Sequence, residues 1–478
     1  MLSGPLPELG AAAGGIGAIL VLVAGRRAVL LGGLALLTAA EALLVTALAR
    51  DVTDLPGGAT VAAVAVGGAV AIAAVAVILV RVPALVPLGL LAVAPFRVPV
   101  DVGNEDAFLL IPLYVVLAGA CTALAVRTLR GAAVRPVHFA LAVPMGAFVA
   151  LAAASMLWAD DRQGAAVQLA FFLLPFSALV AVVARSPMPP TTPRRLAVTL
   201  VAVTCGLALV GLWQVQSGEL FFAPDVEVSN EYTSYQRVTS LFNDPSIYGR
   251  HLADAMVVVV VTLWAGTVGL AAGAGLLALL WAGLFFSYSQ SSMVALSVSV
   301  LVVSLVSMRS SLRRVVVVVT LAATIVVVGF VAVVARDESF RRITSGRSDI
   351  AVSTSGVIRE NLPLGVGIGS EREATRQRAE ERGDAVRSVS HTTPLTVAAE
   401  LGILGIALYL AVLAGAAWTL LAAYRRRRAF ALALAGVTLV IFVHSLFYSG
   451  FLEDPILWGA LALASVLAVT GEPRRWAP

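Results

Sequence analysis

Long apolar runs recur along this chain from near residue 8 to near residue 470, and they constrain the fold more than any other feature. A helix needs about 20 mostly apolar residues to cross roughly 30 Å of hydrocarbon. Only 13% of the residues are charged, against about 25% in soluble domains. The sequence therefore predicts an all-α fold, a polytopic transmembrane helical bundle of about 12–15 spans with a large external loop that is partly helical.

The predicted spans follow the length and hydropathy of these runs. They lie near residues 8–25, 28–48, 59–80, 83–96, 107–126, 137–157, 164–184, 196–215, 250–265, 268–286, 292–308, 315–335, 394–423, 429–448 and 455–470. The run 83–96 is short and carries Pro83, Pro87 and Pro95. We therefore expect a re-entrant or broken helix there.

The arginines are unevenly divided between the two sets of alternate loops. One set holds more than half of them and a single acid, Glu472, whereas the other set holds nearly all the acids. Because arginine-rich loops stay in the cytoplasm, the first set is predicted to be cytoplasmic. The chain then divides into N-terminal spans (1–215), a transmembrane region with long external loops at 216–249 and 336–393 (216–470), and a cytoplasmic tail (471–478).

A histidine precedes one of the predicted spans in the segment SHTTPLT, residues 390–396. Thr393 followed by Pro394 fits a helix N-cap with proline at the first helical position. His391 would then lie just outside the helix at the external surface, where a histidine can transfer protons near neutral pH. A histidine that only hydrogen-bonds loop backbone is the alternative.

The segment YQRVTSLFNDPSIYGRHL, residues 235–252, places two arginines beside another span. Asn243 and Pro245 belong to a turn before that span. Arg237 and Arg250 could hold a phosphate or diphosphate through paired N–H groups. An arginine at a membrane interface can also simply extend its charged end to water.

The long external loop carries a third arginine, Arg347, in TSGRSDIAV (344–352), where it is either a ligand-binding group or one member of a solvated charge network. A short helix is predicted to start near Ser348. The glycine-rich GVGIG at 365–369 follows a Leu-Pro turn and no strand, so it is predicted to be a turn and not a phosphate loop. Residues 371–387 are polar on every face and predict a solvated helix.

The sequence contains no Asp-x-Asp, His-Glu-x-x-His or Cys-x-x-Cys motif, and nothing in it calls for a metal or another cofactor. Ionisable residues within the predicted spans are few: Glu41, Asp254 and Glu400. A coupled ion transporter usually needs such groups near the bilayer midplane, so this scarcity weakens a transport function.

Four segments in the same order resemble the O-antigen ligase and polymerase family of bacterial membrane proteins. RVTSLFNDPS (237–246) is similar to the family's Arg…Phe-x-Asn-Pro-Asn stretch, and SYSQSS (287–292) to its Ser-Arg-Gly segment. GRSD with NLPLGVGIG (346–349 and 361–369) and SHTTPLTVAAELGILG (390–405) complete the set. The resemblance covers roughly 235–460. Thr392, Gln290 and Ser246 stand where the family usually has asparagine, arginine and asparagine.

The resemblance implies a membrane glycosyltransferase of the bacterial cytoplasmic (inner) membrane. It would move a glycan from a polyprenyl-diphosphate carrier to a hydroxyl of a glycan or lipid acceptor on the external face, among membrane lipids and without nucleic acid, metal or cofactor. Arg237, Arg347 and Arg250 would bind the diphosphate, Arg237 and Arg347 would also stabilise its charge as the bond breaks, and Asn243 would assist binding. His391 would take the proton of the acceptor hydroxyl.

Two other functions stay open from the sequence. A flippase or transporter of lipid-linked glycan would have polar residues spread through its spans and would not need His391. An inactive relative with a structural role would assemble in the membrane without turnover.

Overall fold

The structure is a computed structural model that describes residues 4–50, 58–102, 105–232, 235–307, 347–382 and 392–469. His391 and the predicted span 315–335 lie outside these residues, and so does the side chain of Arg347, whose backbone is described. The described chain is almost entirely helical, with one two-stranded sheet. The predicted all-α membrane bundle is therefore confirmed.

Nine helices are described before the first long loop. They are α1 (Leu6–Val23), α2 (Arg27–Arg50), α3 (Gly58–Arg81), α4 (Val86–Val93), α5 (Ile111–Leu129), α6 (Phe139–Ala154), α7 (Arg162–Gln168), α8 (Leu174–Ala184) and α9 (Thr192–Ser217). A π-helical turn, Leu169–Leu173, joins α7 to α8, so that the two form a single span.

Nine more helices are described after α9. They are α10 (Pro224–Glu231), α11 (Pro245–Trp264), α12 (Leu270–Ser287), α13 (Gln290–Ser307), α14 (Arg347–Glu360), α15 (Glu371–Arg382), α16 (Thr393–Tyr424), α17 (Arg428–Ser445) and α18 (Pro455–Val469). Within the described ranges, twelve helical segments are long and apolar enough to cross a membrane, and Pro83–Val93 and Pro455–Val469 are shorter apolar helices.

The chain between α3 and α5 does not form a simple span. A 3-10 turn, Pro83–Leu85, leads into the eight-residue α4, so the predicted break is confirmed. An antiparallel hairpin follows, with β1 (Val98–Val102) paired to β2 (Glu105–Leu109). The sequence interpretation missed this hairpin and assigned residues 107–109 to the next span.

The connecting segments gather at two opposite ends of the bundle. We call one end the loop face; it carries the hairpin and the segments 158–161, 218–244, 361–370 and 446–454. We call the other the arginine face; it carries the segments 24–26, 130–138, 185–191, 265–269 and 425–427. Hydrogen bonds link segments within each face: Asp160 donates to Val366 O (3.0 Å) and Arg185 to Ala24 O (3.1 Å).

Helices α8 and α11 lie at the centre of the bundle. Every side chain of α8 is buried, and so are most of those of α11, whereas α3 exposes Val64, Val66 and Val70 on its outer side. A helix buried on all sides meets protein in every direction. Polar residues of α11 therefore lie in the protein interior and not against lipid.

Candidate functional site

Helix α11 begins within the predicted ligand-binding segment. The side chain of Asp244 accepts a hydrogen bond from the N–H of Ser246, and Pro245 occupies the first turn. An aspartate cap followed by proline is a strong helix start, since proline has no N–H to leave unsatisfied. The helix thus begins before the predicted span start at 250, and Arg250 lies in its second turn instead of at its end.

Arg250 forms a buried ion pair with Asp454. Its Nη2 lies 2.7 Å from Asp454 Oδ2, and the two side chains are only 4% and 1% exposed. Asp454 also caps α18, since its Oδ1 accepts the N–H of Ile456 at 2.7 Å. Arg250 therefore does not extend to water, and Asp454 is buried with it.

Arg97, at the base of the hairpin, joins this pair on the loop face. It interacts electrostatically with Arg250, Tyr448, Asp454 and Glu453. Burial, followed by the neighbouring charge of Arg250, lowers the pKa of Arg97, while the three acidic groups oppose that shift. A guanidinium stays charged under such a shift. Two arginines and two carboxylates therefore share one partly buried region, which we call the loop-face cluster: Arg97, Arg250, Glu453 and Asp454.

Tyr448 and Gln168 form hydrogen bonds at the border of this cluster. Tyr448 donates a hydrogen bond to Asp244 Oδ2 (3.2 Å), and Gln168 donates one to Glu453 Oε1 (3.0 Å). Burial and then the carboxylate of Asp244 raise the pKa of Tyr448. Tyr448 is therefore a protonated donor at neutral pH that ties the α11 cap to the 446–454 segment.

Arg237 lies on the loop face in a tightly held segment. The side chain of Asn230 bonds both the N–H and the carbonyl of Arg237, each at 3.0 Å. Buried Gln214 of α9 likewise holds the backbone of Ser240, accepting from its N–H at 2.7 Å. The Nε of Arg237 donates to Ser287 O at 3.5 Å. Among the described residues, no carboxylate forms an ion pair with Arg237.

The serine-rich segment 287–292 packs against the start of α11. Ser292 Oγ donates to Ser246 O (3.2 Å) and lies 2.7 Å from Ser289 Oγ. Gly249 permits this approach, since a Cβ there would lie 2.9 Å from Ser289 Cβ and Ser292 Oγ. The two segments singled out by resemblance at 237–246 and 287–292 are thus in direct contact.

The glycine-rich segment 361–369 fits into a break in α16. Gly402 has φ +59° and ψ −149°, a conformation open essentially only to glycine, and it interrupts the helical hydrogen bonds. Val366 and Gly367 donate to the carbonyls of Ala399 and Glu400, and Ile403 donates to Pro363 O. The loop therefore satisfies backbone groups that the break frees, which a bundle interior requires. The predicted turn at 365–369 is confirmed.

Glu400 anchors the start of α15. It is 7% exposed, and its carboxylate hydrogen-bonds the backbone of Gly369 and Glu371. Glu371 is itself buried and accepts from Thr354 of α14 and from Thr375. One face of α15 is therefore packed, although its sequence predicted a helix solvated on every side. The Glu-Leu-Gly stretch has a structural role in positioning these two helices.

Asn243, Arg347 and the start of α16 are the remaining predicted features that the structure describes. Asn243 has a buried Oδ1 without a hydrogen-bond partner among the described residues. Arg347 is the first residue of α14, close to the predicted helix start. Helix α16 begins at Thr393 with Thr392 as its N-cap, one residue before the predicted cap. Thr393 Oγ1 accepts from the N–H of Phe451 (3.3 Å), which places the start of α16 beside the segment that holds Asp454.

The sequence interpretation missed three residues that organise this region: Arg97, Gln214 and Asp454. Asp454-Pro455 repeats the cap-and-proline signature of Asp244-Pro245 and could have been recognised as a helix start. Arg97 is an isolated charge in an apolar stretch, a weaker signal. In the part of the chain that the structure describes, no group of three or more His, Cys, Asp or Glu residues is placed to hold a metal ion.

The fold and the loop-face cluster define a multi-pass membrane protein with a polar site at one end of its helical bundle. Residues 275–410 match the family model described as O-antigen ligase. This part of the chain is similar to O-antigen ligases, and the resemblance predicted from the sequence is confirmed. This match supports the assignment of the protein as a membrane ligase or polymerase of surface polysaccharide. None of the curated proteins matches the chain.

The matched range includes the predicted residues Arg347 and His391 and the segments 287–292 and 361–369. It excludes Arg97, Arg237, Arg250 and Asp454. The segment 237–246 contacts the matched range, because Arg237 donates to Ser287 O and Ser292 donates to Ser246 O. Arg97, Arg250 and Asp454 are therefore contributed by parts of the chain on either side of the matched range.

Proposed function

We propose that this protein is a membrane glycosyltransferase that moves a glycan from a polyprenyl-diphosphate carrier to an acceptor hydroxyl. The loop face would be the external face of the bacterial inner membrane. The O-antigen ligase match over 275–410 is the observation that carries this proposal. Arg97, Arg237 and Arg250 on the loop face, beside apolar helices that could hold the carrier, support it.

The diphosphate is the leaving group, and its negative charge grows as the glycosidic bond breaks. Preorganised guanidinium groups aimed at it stabilise that transition state without reorganising. We assign this role to Arg237 and Arg347. Contacts from Asn230 and Gln214 hold the segment of Arg237 in place, and no carboxylate among the described residues pairs with its guanidinium.

Arg250 is given a smaller role in this proposal, because it already pairs with a carboxylate. Its pairing with Asp454 at 2.7 Å offsets most of its charge. A bound diphosphate would compete with Asp454 for the same guanidinium. Arg250 and Asn243 are accordingly proposed to bind the donor, while the stabilisation of developing charge rests on the other two arginines.

His391 is the proposed general base. It precedes Thr393 by two residues, and Thr393 contacts the segment that ends in Asp454. A base must reach the acceptor hydroxyl within hydrogen-bond distance and be neutral when it accepts the proton. The glycan then forms its new bond to the acceptor oxygen while the polyprenyl diphosphate departs.

The test is glycan transfer in proteoliposomes supplied with the polyprenyl-diphosphate glycan pool of the source organism. Wild type is compared with His391→Ala, and products are identified by mass. We expect turnover by wild type and a loss of about 10²–10⁴-fold in the variant, the range for a general base. Equal turnover would exclude His391 as the base. Movement of lipid-linked glycan across the bilayer without transfer would instead favour a flippase.

His138→Ala provides the matched control. His138 lies on the arginine face, where its ring Nδ1 is 3.0 Å from Thr419 Oγ1. Its removal changes the same residue type far from the loop face, so turnover should stay near that of wild type. A similar loss in both variants would indicate general damage to the fold.

A further inference from the structure

A large apolar groove opens on the arginine face, away from the cluster described above. Its volume is about 590 Å³. Six helices line it: α4, α8, α9, α11, α17 and α18. Its inner end is bordered by Ala94, Pro455 and Ile456, near the loop face, and its outer end by Arg194 and Arg427. Apolar surface of this extent inside a bundle calls for an occupant.

The outer end of the groove is suited to an anion. Arg194 lies in the first turn of α9, and Arg427 immediately precedes α17. Neither helix start has a side-chain cap, and the positive ends of both helices lie at this end of the groove. Among the described residues, no carboxylate pairs with either arginine, and the described segments of this face contain no acid.

We propose that this groove holds the acyl chains of an anionic phospholipid whose phosphate lies between Arg194 and Arg427. The apolar lining matches the chains, and two guanidinium groups match the phosphate geometry. A zwitterionic lipid would bring its own cation toward these arginines, so an anionic headgroup is favoured. The site is separate from the proposed donor site, because its charged end lies at the opposite face of the bundle.

The lipid would also stabilise the geometry of the loop-face cluster. Helices α11 and α18 both line the groove, through Val258 and Val261 on one side and Gly459 and Ala460 on the other. The same helices carry Arg250 and Asp454 at their loop-face ends. Filling the space between them would hold the two helices at the spacing that the ion pair needs.

Lipid binding to the purified full-length protein tests this proposal without any activity measurement. Delipidated protein is titrated with phosphatidylglycerol or phosphatidylcholine, and bound lipid is counted by native mass spectrometry. We expect a clear preference for phosphatidylglycerol, and an affinity roughly tenfold weaker in Arg194→Gln/Arg427→Gln, which removes two charge-assisted contacts. The matched control, Arg26→Gln/Arg135→Gln, removes two exposed arginines from the same face outside the groove and should bind as wild type does.

Gly459→Leu tests the chain-binding part of the site. A Cβ at Gly459 meets nothing closer than Leu179 at 3.9 Å, so a larger side chain can project into the groove without displacing backbone. It should reduce bound phosphatidylglycerol while leaving the arginines intact. Equal binding by wild type and both groove variants would overturn the proposal. Labelling of the groove by a photoreactive isoprenoid chain, with no phosphatidylglycerol preference, would overturn it in favour of the donor's own tail.

Discussion

Arg250 and Asp454 join two helices that are far apart in the sequence, through a 2.7 Å contact buried from solvent. Asp454 serves two purposes, because its second oxygen caps α18. The pair therefore fixes the start of α18 against the second turn of α11, and it places the hairpin base with Arg97 beside both. Charge in this region is balanced within the protein before any ligand arrives.

Replacing Asp454 with asparagine should destabilise the protein strongly. Asparagine is as good a helix cap as aspartate, so the change removes the charge and keeps the cap. It leaves Arg250 buried without its counter-ion, which typically costs about 3–5 kcal/mol. Thermal unfolding in detergent, followed by intrinsic fluorescence, measures the loss. Glu453→Gln is the control, since glutamine can still bond Gln168 and the site is less buried, and its effect should be small. Equal stability of both variants would show that the ion pair contributes little.

Gly402→Ala should prevent α16 from accepting the 361–369 loop. The backbone at Gly402 is strained for any other residue by about 1–3 kcal/mol. A Cβ there would also collide with the carbonyl of Pro363. We expect reduced thermal stability and faster proteolysis of the α14–α15 region. Gly206→Ala in α9 is the matched control, because its Cβ has open space, and the helix should gain up to about 1 kcal/mol. Similar behaviour of the two variants would contradict the role given to this break.

The membrane bundle could be predicted because its signal is carried by many residues at once. Many spans repeat the same apolar length, so a wrong assignment of one span does not change the predicted fold class. The hairpin at 98–109 was missed because its strands are short and continue directly into apolar α5. Its existence depends on pairing between strands and not on a periodic pattern in either one.

The charge cluster was only partly predictable. Arg237 and Arg250 were found from their positions beside a span, but the partner of Arg250 comes from another span whose proximity no local pattern encodes. Likewise Glu400 and Gly402 were visible as a motif, whereas their structural purpose depends on a loop that folds back from residues 361–369. Residue types identify candidates, and long-range packing decides which of them pair with one another.

Arg237→Ala should lower the maximal rate of glycan transfer, because it removes a cation proposed to stabilise the departing diphosphate. Removal of one such group typically costs about 10²–10³-fold. Arg237→Lys should recover part of the rate, since it restores the charge without the paired geometry. Arg376→Ala is the control, as Arg376 pairs with Glu373 on the exposed side of α15. Near-normal transfer by Arg237→Ala in a well-folded protein would remove the assigned role.

Transfer should continue when divalent cations are chelated. If guanidinium groups supply the positive charge that the diphosphate needs, no bound metal ion has to do so. Proteoliposomes assayed with and without EDTA should show rates within about twofold of each other. Complete loss of transfer, with recovery on adding Mg²⁺ or Mn²⁺, would assign the charge stabilisation to a bound metal ion.

The rate of transfer should fall as the pH is lowered through the range where histidine gains a proton. A base acts only in its neutral form, and the ordinary pKa of histidine is about 6.5, so the rate should be highest above that value and decline below it. The residual rate of His391→Ala should lack this acidic limb. The measurement is the initial rate of transfer from pH 5 to 9 at saturating donor, with protein integrity checked by size exclusion at each pH. An unchanged acidic limb in His391→Ala would assign the titrating group to another residue.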